Sequence, residues 1–278
     1  MKLACCQFAP VRGQVLLNQE KVDKLLAKYD PGDIDVLVLP EMAFSGYVFK
    51  SLNDIMPLLE DAETGPTCMW AKRQAKRLHC FVQVGFPQVI IEGADTGYFN
   101  AVVVVDRQGK LIKTYQKHFL YETDENWAQE GPGFSTYDIE GVKVAPAICM
   151  DINPKGFKDF YAFEFANFHV KEESQMILCS MNWIDSKKER TGAADTGNGS
   201  GSEAAVKSIP SADRSSDQFE EEIEQFSASN LNYWMLRLWP LYGETLIKAD
   251  ETVAMQRNGH GEKMYFVASN RTGTEEGY

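Results

Sequence analysis

A thiol, an amine and a carboxylate occupy three equivalent places in this chain: Cys149 in P-A-I-C-M-D-I-N-P, Lys117 in Y-Q-K-H-F-L-Y and Glu41 in L-P-E-M-A-F-S-G-Y. Each follows on a run that reads as a strand, and open α/β sheets bind ligands beyond the carboxyl ends of their strands. Converging there, the three types suit covalent chemistry at a carbonyl: sulfur to attack, an acid to carry protons, a cation to hold developing negative charge. Singly, each has an ordinary alternative. Free cysteine is a common core residue, a glutamate after a strand is usually a surface turn acid, and a lysine is usually solvated. The shared position of all three outweighs those alternatives.

The elements that must position them alternate. Lys2–Phe8 reads as a strand, Gln14–Lys28 as an amphipathic helix with Val15, Val22, Leu25, Leu26 and Tyr29 on one stripe, and Asp35–Leu39 as a short apolar strand. Thr64-Gly65-Pro66 starts a helix that runs to about Leu78. Strands follow at Phe81–Phe86, Phe99–Asp106 and Leu111–Tyr115, the last two joined as a hairpin through Asp106–Gly109, so the sheet is mixed. Val142–Ile148 is the strand that ends on Cys149, and Phe157–His169 is helix-compatible. Gln175–Met181 is the next strand, closing on Asn182 and Trp183; Asn230–Leu238 resumes as helix and Met264–Ser269 is the last strand. Between them composition shifts: Thr191–Ser202 is small and polar, and the chain stays rich in Ser and Glu through Gln225. The expectation is a single domain, 1–278, carrying a flexible low-complexity insertion at about 185–225.

With 278 residues, 44% of them hydrophobic, the chain can bury a large core. A net charge of −12 argues against nucleic acid or an anionic membrane as partner and favours small molecules or peptides, cationic ones above all. Six cysteines without a C-x-x-C pair read as reduced, cytoplasmic usage rather than disulfides or a zinc site. The sequence enters a strand directly after Met1-Lys2, with no signal-like apolar core and no run long enough to span a bilayer. Self-association stays open.

The three motifs, in this order, resemble the nitrilase (carbon-nitrogen hydrolase) superfamily. The opening Q-F-A-P and the late S-N-R-T-G-T-E are similar to its pattern as well, so the resemblance covers most of the chain outside the insertion. K-H-F-L-Y-E-T-D-E-N-W and C-M-D-I-N-P look like the fungal-type branch that deamidates N-terminal Asn and Gln of proteins, a reaction of the N-degron pathway. The resemblance implies an α/β fold, a four-layer α-β-β-α sandwich with two mixed sheets. It implies a hydrolase of linear amides with no metal and no organic cofactor, acting on peptides or proteins with a free N-terminal Asn or Gln. Glu41, Lys117 and Cys149 would be catalytic, and Glu125, eight residues beyond Lys117, the supporting acid, with Glu122 and Asp124 close enough to compete.

A carboxamide is a poor electrophile, so such an enzyme needs an activated nucleophile, a stabilised oxyanion and a proton for the departing ammonia. Cys149 would attack to form a thioester; Glu41 would take the thiol proton, pass it to ammonia and then activate water. Lys117, with a backbone N–H near Cys149-Met150, would hold the oxyanion. Recognising a free α-ammonium requires a carboxylate, because an unpaired buried cation is costly. Asp151 and Asp124 are the candidates, Asp151 alternatively capping its turn, with Glu130 and Asp185 next; Asn153 and Trp183 are expected in the substrate pocket. The sequence departs from its relatives in two ways. Ile152 and Asn153 stand where members acting on carboxylate-bearing substrates place an Arg, and the sequence stops at Tyr278, so a shortened or rebuilt C-terminal sheet edge is expected. The alternatives are another carbon-nitrogen hydrolase, an ω-amidase or carbamoyl hydrolase, and a non-catalytic peptide-binding scaffold of the same fold.

Overall fold

Alternation of side chains along the short strands sets the layering. In the computed structural model, which describes residues 1–184, 227–242, 244–249, 252–257 and 264–275, Leu37 and Leu39 face one way and Val36 and Val38 the other, all of them buried. Leu37 and Leu39 pack with Val22, Leu26, Trp70, Ala75 and Leu78 from the helices Val15–Leu26 and Pro66–Leu78. Val36 and Val38 meet Ile139, Val144, Met176 and Leu178 of a second sheet. On that sheet Ala145, Ala147, Ile177 and Cys179 point outward against Phe165 and Leu238. A period of two with both faces apolar is what a doubly covered sheet demands. The result is the expected order of layers, helices, sheet, sheet, helices, and each fully buried Leu or Val contributes roughly 1.5–3 kcal/mol.

The first sheet runs β1 (Leu3–Cys5), β2 (Val36–Val38), β3 (Phe81–Glu92), β4 (Asp95–Val105) and β5 (Leu111–Gln116), parallel through β3 and antiparallel beyond. In the second, β6 (Tyr137–Ile139) pairs antiparallel with β7 (Val142–Ile148), followed in parallel by β8 (Met176–Met181) and the final strand Tyr265–Asn270. Pro146 is tolerated inside β7 because β6 pairs only with residues 142–144. A separate antiparallel hairpin, Glu244–Ala249 with Thr252–Arg257, had no counterpart in the sequence reading. Two buried side chains tie the sheets together at the site end: Gln83 Nε2 donates to the Leu178 carbonyl at 2.9 Å, and Ser180 Oγ to the Leu39 carbonyl at 2.8 Å.

Contacts divide the chain into two compact units, 1–183 with 234–278, and 184–233. Within the second, Asn230 Nδ2 donates to the Ile184 carbonyl at 3.3 Å. The insertion expected at 185–225 lies outside the described residues.

Three sequence expectations change. Leu25 is 48% exposed, so of the expected stripe the first helix buries Val22 and Leu26 but not Leu25. β3 continues past Phe86 to Glu92 because β4 pairs along it as a second hairpin. Phe157–His169 is not one helix: Phe157 and Phe163 have φ of 55° and 46°, incompatible with a right-handed helix, and the helix spans only Glu164–Lys171. No helix among the described residues is long and apolar enough to cross a membrane.

Candidate active site

Glu41 leaves β2 through Leu39-Pro40 and is held against β3. The Leu39 N–H donates to the Gln83 carbonyl at 2.9 Å, the Gly85 N–H to the Pro40 carbonyl at 3.2 Å, and the Ala43 N–H to the Gly85 carbonyl at 3.0 Å. This approach requires glycine: a Cβ on residue 85 would lie 2.6 Å from the Met42 nitrogen and 2.7 Å from Glu41 Cα. Glu41 is thereby delivered to the interior, 2% exposed.

Lys117 follows β5 and is fully buried. Its Nζ sits 2.7 Å from Glu41 Oε1 and 2.6 Å from Asp124 Oδ2. Asn100 on β4 joins the same two acids, its Nδ2 donating to Glu41 Oε1 at 2.7 Å and to Asp124 Oδ1 at 3.0 Å. Tyr47 lies beside them, its hydroxyl 3.4 Å from Asp124 Oδ2 and its ring centroid 5.8 Å from Lys117 Nζ. Burial alone would lower the Lys117 pKa, but the Asp124 and Glu41 carboxylates overcome it and hold the ammonium well above its ordinary range. Burial raises Glu41, and the Lys117 charge offsets only part of that. Both Glu41 donors use Oε1. Oε2 is buried with no hydrogen-bond partner among the described residues.

Cys149 closes β7 with φ of 39°, a left-handed backbone that a non-glycine residue adopts only under constraint. The constraint is Asp151, two residues on and fully buried. Its Oδ1 accepts from the His118 and Phe119 N–H groups, each at 3.0 Å; its Oδ2 accepts from the Ile148 N–H at 2.9 Å and the Tyr115 hydroxyl at 2.8 Å. Asp151 is thus a buckle joining the turn after Lys117 to the turn after Cys149. Burial and then the Glu41 charge push the Cys149 thiol well above its ordinary pKa; Lys117 and the Asn182 N–H pull it down by less. That environment favours the thiol over the thiolate at rest. Because its donors would be stranded, Asp151→Ala is expected to lower unfolding free energy by about 2–4 kcal/mol and to slow alkylation of Cys149, measured by urea titration and iodoacetamide kinetics. A stability within about 0.5 kcal/mol of wild type would mean that these donors find other partners.

The fold brings Glu41, Lys117 and Cys149 together, as their strand-end positions suggested. It does not bring Glu125 to the lysine: Glu125 and Glu122 are exposed, and Asp124 takes the place the resemblance implied for Glu125. Neither Asp151 nor Asp124 is open to an α-ammonium. A carboxylate has about four lone-pair sites; Asp151 accepts four donors, and Asp124 accepts from Asn100, Lys117, Tyr47 and the Tyr121 N–H. Glu130 is exposed and paired with Lys155 at 2.7 Å, and Asp185 lies outside the described residues. Asn153 is buried, its Nδ2 3.2 Å from Met150 Sδ. Trp183 is half-buried and packs with Ile148, Cys149, Val102 and Tyr115, its main chain held on both sides by Asn270. Sequence reasoning missed Asn100 and Tyr47. For Asn100 a signal existed, a lone amide inside the apolar run Y-F-N-A-V-V-V-V. Among the described residues no group of three or more His, Cys, Asp or Glu is placed to hold a metal ion.

Residues 2–176 match the family described as carbon-nitrogen hydrolase. A protein N-terminal amidase of Schizosaccharomyces pombe is 32% identical over 259 residues, 87% of this chain and 80% of that one. A protein N-terminal amidase of Saccharomyces cerevisiae is 28% identical over 295 residues, 86% of this chain and 63% of the relative. A crystal structure of N-terminal amidase with an Asn-Glu-Ala peptide superposes with a TM-score of 0.72 at 24% identity, over 100% of this chain and 87% of that one.

Proposed function

The chain belongs to the carbon-nitrogen hydrolase family, and from that premise we propose that it hydrolyses the side-chain amide of an N-terminal Asn or Gln on a polypeptide, giving Asp or Glu and ammonia. The observation that carries the reading is the division of labour on Glu41. One oxygen is gripped by Lys117 and Asn100, and the other is buried without a hydrogen-bond partner among the described residues, in a site where the Glu41 charge acts on the Cys149 thiol. The substrate class follows from the two amidase relatives that this chain matches along most of its length.

The steps balance without an added reagent. The Cys149 proton passes to Glu41 Oε2 as sulfur bonds the amide carbon, and the oxyanion is met by the Lys117 ammonium and a backbone N–H near Cys149-Met150. Glu41 returns that proton to nitrogen as the carbon–nitrogen bond breaks, so ammonia leaves and a thioester remains. Water then attacks the thioester with Glu41 taking its proton, and collapse breaks the carbon–sulfur bond and restores the thiol. Since Glu41 must be ionised to start the cycle and burial raises its pKa, activity falls on the acid side at a pH above the ordinary glutamate range. All six cysteines are free thiols, in keeping with a reducing compartment such as the cytoplasm.

Mass spectrometry of peptides beginning with Asn, Gln, Asp and acetyl-Asn tests the assignment. A gain of about 1 Da is expected for free Asn and Gln only, as amide nitrogen gives way to hydroxyl oxygen in acyl transfer to water. Equal conversion of acetyl-Asn, or turnover of free small amides alone, would move the assignment to another carbon-nitrogen hydrolase.

A further inference from the structure

We propose that Asn100 is a positioning residue for the hydrolysis, the group that selects which oxygen of Glu41 faces the thiol. The inference deepens the mechanism above and rests on Glu41 acting as the base. Asn100 is fully buried on β4 beside Ala101, Val102 and Val103, where an unpartnered amide would cost roughly 2–7 kcal/mol. Its Nδ2 is shared between Glu41 Oε1 and Asp124 Oδ1, while its Oδ1 is buried with no hydrogen-bond partner among the described residues, a cost that the two carboxylate bonds must offset. Ionised carboxylates only accept hydrogen bonds, so the amide must present its NH2 to them and its carbonyl elsewhere.

Lys117 Nζ bonds the same two carboxylates, and the four side chains close a ring: Lys117, Glu41, Asn100, Asp124. The main chain keeps that ring in register, because the Lys117 N–H donates to the Asn100 carbonyl at 2.8 Å. Two donors on Oε1 and none on Oε2 among the described residues hold the Glu41 carboxylate against rotation. With the ammonium alone, the carboxylate could turn and present both oxygens to Lys117, leaving neither free to take a proton from the thiol. Among the described residues, the charged and titratable groups acting on Glu41 are Lys117, Asp124, Tyr47, Cys149 and Cys179, and Lys117 is the one cation among them. The Asn100 donor thus also favours the ionised base.

The test compares Asn100→Asp and Asn100→Ser with wild type. Two readouts are taken: the pH profile of Cys149 alkylation by iodoacetamide, and kcat and KM on an Asn-initiated peptide. Both variants should shift the acid limb of the alkylation profile up, Asn100→Asp by about one pH unit or more, the size of one hydrogen bond to a charged group, and Asn100→Ser by less. For Asn100→Asp, kcat should fall on the order of a hundredfold at neutral pH with KM changed little. Asn100→Ser, which retains one donor, should lie between, and it carries the test if Asn100→Asp does not fold by circular dichroism. An unchanged limb in the folded variants overturns the proposal whatever happens to kcat, since a packing defect lowers activity without moving a titration. Alkylation needs no substrate. A wild-type protein silent on Asn peptides would therefore refute the substrate assignment while the limb still decides the role of Asn100.

Discussion

Cys149→Ala is expected to abolish turnover, with a loss on the order of 10⁴-fold or more in kcat, because it removes the sulfur that forms the thioester. The fold should survive. Cys149 is a small residue at the mouth of the buried layer, 8% exposed, and its backbone is set by the Asp151 buckle rather than by its own side chain. Stability should therefore stay within about 1 kcal/mol of wild type. Cys149→Gly should be equally inactive yet no less stable than the alanine variant, since φ of 39° suits glycine better than any residue with a Cβ. Cys149→Ser should also be inactive, as a hydroxyl lacks the accessible ionisation of a thiol. Peptide deamidation assays paired with thermal melts check all three. Near wild-type conversion by Cys149→Ala would remove the nucleophile from the mechanism.

Lys117→Met is expected to be the most damaging substitution in the site for stability and function together. It leaves Glu41 and Asp124, 2% and 1% exposed, facing each other without a cation. Breaking a buried pair from one side costs about 3–5 kcal/mol, and the oxyanion loses its positive charge as well. The deficit must depend on pH, and the sign follows from linkage. Burial already raises the Glu41 pKa, and without the ammonium it rises further above the unfolded value, so between the two pKa values the folded protein binds more protons than the unfolded one. Stability of the variant therefore falls as pH rises through that window and recovers in acid. Urea titrations of variant and wild type at pH 5 and pH 8 should show the larger gap at pH 8. An equal gap would mean that the carboxylates are not repelling one another. Arginine is no substitute, since a planar fork cannot meet two carboxylates as a compact ammonium does.

How much of this could be read from the chain differs residue by residue. Glu41, Lys117 and Cys149 were legible because strand ends are local signals: an apolar run stops, a turn begins, and the first polar residue after it lies at the carboxyl edge. The layers were legible for the same reason, Val36, Leu37 and Val38 alternating between two apolar surroundings while helices intervene. The roles of the acids were not. Asp124 and Glu125 are neighbours in one 3-10 turn, and a single step around it decides which faces Lys117 and which faces water. Asp151 reads locally as a turn cap, yet its acceptors are filled from Tyr115, His118, Phe119 and Ile148, two strands' worth of chain with no sequence rule linking them. Asn100 looks like a defect in a valine-rich strand until Glu41 and Asp124 arrive from 59 and 24 residues away to accept from it. The sequence by itself thus determined which groups could do the chemistry and which strand ends carry them. Only the tertiary structure decided which acid grips the lysine, which buckles the turns and which oxygen is left open, because those choices depend on hydrogen bonds between segments that meet nowhere along the chain.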